Sequence, residues 1–287
     1  MKGIILAGGT GSRLFPLTFG VSKQLLPIYS KPLIYYPLAT LMLFGLRDIL
    51  LICTPRDEQV FRFVLGDGSQ WGINLNYAAQ HEPKGLPDAY ILGETFLNGE
   101  SSVMMLGDNI LFGQQLKVIF HDALKTNAGA HLFCYPVLDP ERFGVVEIDK
   151  YGKVLSIEEK PQKPKSSMAS VGLYLCDGSA PDIAKSLKPS ERGEIEIVDL
   201  HTQYLHYGKL SSTVLSRGTA WFDAGTQKSL LEASNFVSAV ENRQGLVVLS
   251  PDEVAWRNGW ISSEKLEANI SQFPKSDYGI MLSRLLP

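Results

Sequence analysis

Through the first half of the chain, short apolar runs alternate with segments of helical period, and this alternation restricts the fold more than any other feature. Gly3–Ala7, Asp48–Thr54, Asn74–Ala79 and Ser102–Leu106 read as strands. Between them, Pro32–Phe44 reads as a helix with Pro32 in its first turn and Gly45 past its end. Arg56–Leu65 and Asp88–Phe96 fill the next two crossovers, and Gln114–Thr126 follows the fourth strand. Repetition of this kind predicts an α/β fold, an open, doubly wound, mostly parallel (Rossmann-like) sheet with helices on both faces.

The middle of the chain changes character. His131–Val137, Gly144–Ile148, Val154–Glu159 and Val171–Cys176 are closely spaced strands, parted by turn residues at Asp139-Pro140, Lys150-Tyr151-Gly152 and Lys163–Ser167. A helix over Glu196–Tyr207 and a strand over Leu210–Leu215 lead to Trp221-Phe222-Asp223. Beyond it, Gln227–Glu241, Pro251–Asn258, Glu264–Gln272 and Asp277–Leu286 read as helices. No Pro/Gly/Ser-rich linker or internal repeat interrupts the chain, so one continuous core with a helical C-terminal appendix is expected.

Charge narrows the partners. The 27 basic and 30 acidic residues are interspersed and leave a net charge of −3, with no basic stripe for nucleic acid. The apolar run Ile4–Ala7 is too short for a signal-peptide core, and Pro32–Gly45 falls short of the ~20 residues of a membrane span. Cys53, Cys134 and Cys176 sit singly in apolar stretches, as reduced core thiols do. A cytoplasmic location with no membrane contact is expected.

Directly after the first strand comes Gly8-Gly9-Thr10-Gly11-Ser12-Arg13-Leu14. A glycine-rich turn there brings backbone N–H groups close to a polyphosphate, although a plain tight strand–helix turn would carry the same glycines. The dinucleotide fingerprint fails because Leu14 stands where its third Gly belongs, and the P-loop fails because Ser12-Arg13 follow Gly11. Arg13 and Lys23 nonetheless offer a planar fork and a compact charge to two phosphates.

This segment, with Ser22-Lys23-Gln24-Leu25-Leu26-Pro27 and Lys31-Pro32-Leu33-Ile34-Tyr35-Tyr36-Pro37, resembles the glucose-1-phosphate thymidylyltransferases of the sugar nucleotidyltransferase superfamily. The likeness runs through Leu65–Ser69, Leu106-Gly107-Asp108-Asn109, Leu138–Val146, Glu158-Glu159-Lys160-Pro161, Arg192-Gly193-Glu194, Asp223–Thr226 and Glu241–Gly245, nearly the whole chain. It implies a nucleotide-binding α/β sheet with an added sugar-binding part. The division it suggests is a catalytic domain over 1–240, with nucleotide (1–130) and sugar (131–226) parts, and a helical segment over 241–287.

The activity implied is Mg²⁺-dependent attack of a sugar 1-phosphate on the α-phosphorus of dTTP, with departure of pyrophosphate. A phosphate monoester has a second pKa of about 6 and needs no protein base at neutral pH. Bringing two anions together in line is the obstacle, so positioning and charge neutralisation should dominate. By the resemblance, Gly8, Gly9 and Gly11 cradle phosphates, Arg13 grips the departing pyrophosphate and Lys23 serves a second phosphate. Gln80 and the Gly85 backbone read the pyrimidine edge. Lys160 clamps the sugar phosphate, while Gly144, Glu159 and Val171 contact the sugar. Asp108 and Asp223 hold the metal. A homotetramer with a second nucleotide-sugar site near Phe112, Gly113 and Arg257 is also implied.

Four stretches depart from the family wording. Gly85-Leu86-Pro87-Asp88-Ala89 replaces Gly-Leu-Ala-Gln-Ala, Ser170-Val171 replaces Val-Thr, Val198 replaces a Thr, and Ala224 replaces the Thr of Asp-Thr-Gly-Thr. Three threonine hydroxyls are lost, in segments expected to line the sugar side. A modified, deoxy or amino sugar 1-phosphate therefore stands beside glucose 1-phosphate as the expected substrate. UTP in place of dTTP, a non-catalytic sugar-nucleotide sensor and a nicotinamide-dependent dehydrogenase are the other readings. Five histidines without metal spacing (His81, His121, His131, His201 and His206) read as structural or surface residues.

Overall fold

A computed structural model describes residues 1–9, 11–126, 129–190 and 193–286. Thr10 of the glycine loop and Arg192 of the Arg-Gly-Glu block lie outside the described residues.

The nucleotide half comprises β1 (Lys2–Ala7), β2 (Pro27–Ile28), β3 (Lys31–Pro32), α1 (Tyr35–Leu43), β4 (Asp48–Cys53), α2 (Pro55–Leu65) and β5 (Asn74–Ala79). It continues through α3 (Asp88–Leu92), α4 (Glu94–Leu97), β6 (Ser102–Leu106), β7 (Asn109–Phe112) and α5 (Leu116–Thr126). β6, β1, β4 and β5 lie side by side and parallel, with Ile4 opposite Leu50 on one neighbour and Met104 on the other.

Their apolar residues divide by parity. Ile5, Ile49, Leu51, Val103 and Met105 join the core on one face, and Ile4, Leu50, Ile52 and Met104 the core on the other. A strand buried on both sides must be apolar at every position, so these runs carry no alternation. α2 shows the local chemistry of a helix start: Pro55 opens it, and the Thr54 hydroxyl accepts from the Asp57 N–H.

The remaining elements are β8 (Ala130–Pro136), β9 (Gly144–Ile148), β10 (Val154–Glu159), β11 (Met168–Cys176), α6 (Ala180–Ser186), α7 (Ile197–His206), β12 (Leu210–Val214) and β13 (Ala220–Asp223). Helices α8 (Gln227–Gln244), α9 (Pro251–Arg257), α10 (Ser263–Ile270) and α11 (Asp277–Ser283) close the chain. β11 is the pivot: it runs antiparallel to β6 and carries β8 and β9, also antiparallel, into the same nine-stranded sheet. Val247, Val248, Ala255 and Leu282 of the last segment join the core on the α1 face.

Several boundaries differ from the sequence reading. The helix expected from Pro32 begins at Tyr35, because Lys31-Pro32 pair with Pro27-Ile28 in a small hairpin. The helix expected over Asp88–Phe96 is two short helices meeting at Gly93. β7 was not expected from the sequence and pairs antiparallel with β13, setting Asn109 opposite Asp223. All three cysteines are free and buried, with burial pushing each thiol up to about 12.

Candidate active site

Two cavities adjoin at the carboxyl ends of the parallel strands, where open α/β sheets bind ligands. The smaller, about 190 Å³, is lined by Gly8, Gly9, Lys23, Gln80 and Gly85. The larger, about 320 Å³, is lined by Arg13, Gly144, Glu159, Lys160 and Asp223. Leu86, Leu106, Asp108 and Glu194 line both. Eleven of the thirteen residues named as site candidates thus line this paired cleft, with Asp108 at the junction.

Two candidates and one neighbouring residue need qualification. Gly11 does not line either cavity. It sits left-handed (φ 61°) and turns the chain into the short 3₁₀ segment that carries Arg13. Asp88, behind the Gly85 turn, is buried and accepts from Gln80 instead of facing either space. Val171 is corrected: its side chain packs into the α1-side core, while Ser170 and Gly172 on either side of it face the larger cavity. Alternation along a strand turns each neighbour to the opposite face, so Val171 offers the cavity its backbone alone.

Asp108 lies two residues past β6, and Lys23 donates to it in a hydrogen-bonded ion pair. The Asn109 amide holds the other Asp108 oxygen at 3.0 Å and in turn accepts from the Trp221 indole N–H at 2.6 Å. Burial is the largest influence and pushes the Asp108 carboxyl up, but the Lys23 charge together with hydrogen bonds from Lys23, the Asn109 amide and the backbone holds the group below the usual carboxylate range. Asp223 goes the other way. Burial and the Asp108 charge raise it, against the opposing pull of Lys23, Arg13 and Arg142. The two are brought near each other by the β7–β13 pairing and by the Ala224 N–H bonding the Asp108 carbonyl at 3.0 Å.

Gly225 makes room here. A Cβ on it would fall 3.0 Å from both an Arg13 guanidinium nitrogen and an Asp223 carboxylate oxygen. At the far wall, Lys160 follows the last residue of β10 with φ 44°, a left-handed conformation that a non-glycine residue keeps only under constraint. Its N–H bonds the Phe143 carbonyl at 3.0 Å and its Nζ meets Glu159 at 2.7 Å. Gly85 is fixed by a parallel bridge to Ile195, the chain crossing so closely that a Cβ would lie 2.0 Å from the Ile195 carbonyl oxygen.

The threonine losses are redistributed. Val198 faces the larger cavity, whereas Val171 and Ala224 are buried in the core, so the expectation that all three lie on the sugar side is corrected. Alternation in β11 and the tight turn after Asp223 send those two side chains inward. Ser170 supplies a hydroxyl to the cavity wall, with no hydrogen-bond partner among the described residues.

The sequence reading passed over Asn109, Arg142, Glu194 and Trp221, all on the cleft. It also took His201 for structural, yet that ring lies against the larger cavity, fully buried, where desolvation lowers it to about 3 and keeps it neutral. Asn109 and Arg142 stand in motif blocks, but nothing in their spacing signals a side-chain role. Phe112 ends β7 and Arg257 ends α9, and both elements pack against α1. No described helix is long and apolar enough to cross a membrane.

Comparison with known proteins agrees with this geometry. The nucleotidyl transferase family profile matches residues 2–240. A glucose-1-phosphate thymidylyltransferase of Neisseria meningitidis is 53% identical over 286 residues, covering 100% of this chain and 99% of that protein. One of Mycolicibacterium smegmatis is 52% identical with the same coverage. A crystal structure of a Bacillus anthracis protein assigned as a glucose-1-phosphate thymidylyltransferase, in complex with sucrose, superposes with a TM-score of 0.77 at 40% identity, covering 82% of this chain and 94% of that one. The chain belongs to the nucleotidyl transferase family and, within it, to the glucose-1-phosphate thymidylyltransferases.

Proposed function

We propose that this chain condenses dTTP with glucose 1-phosphate, giving dTDP-glucose and pyrophosphate. The observation that carries the reading is the pair of cavities meeting at Asp108: one walled by the glycine loop and an amide, the other by Lys160, Glu159 and Gly144. The nucleoside triphosphate, as nucleotidyl donor, fits the first and a phosphorylated sugar, as acceptor, the second, with the reacting phosphates at the junction.

In this reading a sugar phosphate oxygen attacks the α-phosphorus, and the bond to the bridging oxygen of pyrophosphate breaks on the opposite side. Lys160 holds the attacking phosphate, Arg13 and the glycine-loop N–H groups take the departing charge, and Lys23 neutralises charge at the α-phosphate. Gln80 and the Gly85 backbone meet the base edge. Glu159 accepts from a sugar hydroxyl.

Asp108 and Asp223 suit a hard cation. Asp108 is buried and Asp223 half-buried, both are oxygen donors, and mutual repulsion helps raise the Asp223 carboxyl. Mg²⁺ bound there with phosphates and water would offset phosphate charge and orient the oxygens. Among the described residues no larger His/Cys/Asp/Glu cage is gathered, as suits a metal completed by substrate.

We divide the chain functionally into residues 1–240, which carry the chemistry, and 241–287, which support them. A homotetramer with feedback by nucleotide sugar at the β7–α9 side, and a cytoplasmic setting where nucleoside triphosphates are made, complete the reading. A modified sugar has less in its favour, since Val198 alone of the three lost hydroxyl positions faces the sugar cavity.

The test is a matrix of dTTP, UTP and other triphosphates against sugar 1-phosphates, read by pyrophosphate release with and without a chelator. Fastest release from dTTP with glucose 1-phosphate, abolished by chelation, is expected. No release from any pair would overturn the reading in favour of a sugar-nucleotide sensor. Light scattering of the purified protein checks the tetramer.

A further inference from the structure

The base-side cavity has an acidic neighbour that the phosphate chemistry leaves unused. Asp88 opens α3 directly behind the Gly85-Leu86-Pro87 turn and is 8% exposed. Its carboxylate accepts a hydrogen bond of 2.8 Å from the Gln80 side-chain nitrogen, and Gln80 is itself 8% exposed and lines the cavity.

The chemistry of this pair is one-sided. An ionised carboxylate has acceptors and no donor, whereas a primary amide has both and can present either by turning over. Facing Asp88, the Gln80 amide must turn its NH₂ group toward the carboxylate. Turned the other way, two acceptors would face each other in a buried place, where an unmet polar contact costs most. The amide oxygen consequently lies on the other arm, beside Gly8, where a Cβ would come within 2.7 Å of it. Gly8 belongs to the same cavity wall.

We propose that Asp88 is a positioning residue that locks the Gln80 amide with its oxygen as a fixed acceptor, so that the cavity takes pyrimidines carrying a ring N3–H and rejects those with an N3 lone pair. Thymine and uracil have that N–H, whereas the cytosine N3 is an acceptor. The inference rests on the reading of Gln80 as the base contact. It is particular to an acid at position 88, where the family wording has an amide able to pair either way. A carboxylate in the first turn of α3 also suits the helix dipole, but that role has no bearing on which base binds.

The test is calorimetric binding of dTTP, dCTP and 3-deaza-dCTP to the purified protein. The last compound differs from dCTP by a C–H in place of N3. The wild-type chain should bind 3-deaza-dCTP at least about tenfold more tightly than dCTP, the scale of one hydrogen-bonding contact. In Asp88→Leu the amide can turn over, the preference should shrink to within about twofold, and the dTTP-to-dCTP ratio should fall by about tenfold. Equal binding of the two cytosine compounds by the wild type, or an unchanged ratio in a folded Asp88→Leu, would overturn the proposal. The wild-type comparison decides alone if the variant does not fold. Because binding is read directly, a chain that binds as expected but releases no pyrophosphate would remove the proposed reaction and leave this inference standing.

Discussion

On the nucleotide side of the cleft, the groups that face a ligand come from strand ends and backbone: Gly8 and Gly9 after β1, Gln80 after β5, Asp108 after β6. On the sugar side they come mainly from side chains of the antiparallel β10 and β11 and of helix α7. The first surface is set by the course of a sheet buried on both faces, which tolerates little change. The second is set by which side chain each alternate position presents, which single substitutions can alter without disturbing the sheet. Catalytic power should therefore be brittle on the first side, and substrate preference adjustable on the second.

The largest effect that could break this contrast is at the junction. Asp108→Asn should lower pyrophosphate release about a thousandfold, the scale of losing metal-borne charge stabilisation. Circular dichroism should show the fold retained. Arg13→Ala should cost about a hundredfold in kcat, as loss of one preorganised charge contact does; an effect confined to KM would place Arg13 outside the departing charge. Gly85→Ala tests the backbone side directly. A Cβ at φ 103° and 2.0 Å from the Ile195 oxygen should cost about 2 kcal/mol or more, lower Tm and raise KM for the nucleotide. The smallest effect sharpens the sugar side. Val198→Thr, on the cavity, should change KM for the sugar phosphate by less than about tenfold. Val171→Thr, one strand position off the cavity, should leave that KM unchanged and cost about 1–3 kcal/mol of stability for a buried hydroxyl.

The same contrast explains what the sequence disclosed. The parallel strands were legible because two-sided burial demands uninterrupted apolar runs, and the glycine loop because close backbone approach needs glycine. Arg13, Lys23, Asp108, Lys160 and Asp223 were found through motif blocks, and all five line the cleft. Strand parity was harder to read. Val171 was placed on the sugar side because its segment lines the cavity, but the register of β11 turns Ser170 and Gly172 there instead. β7 was missed because Asn109–Phe112 is four residues long and is stabilised by a partner, β13, more than a hundred residues away. His201 was missed because an apolar helix face looks alike whether it meets a core or a ligand cavity.

The most direct measurement is a crystal structure with dTTP and a non-reacting sugar 1-phosphate analogue. The account predicts the triphosphate along the glycine loop with its terminal phosphates on Arg13, its α-phosphate beside Lys23 and Asp108, and the sugar phosphate on Lys160. A triphosphate bound away from Arg13 and the two aspartates would contradict it.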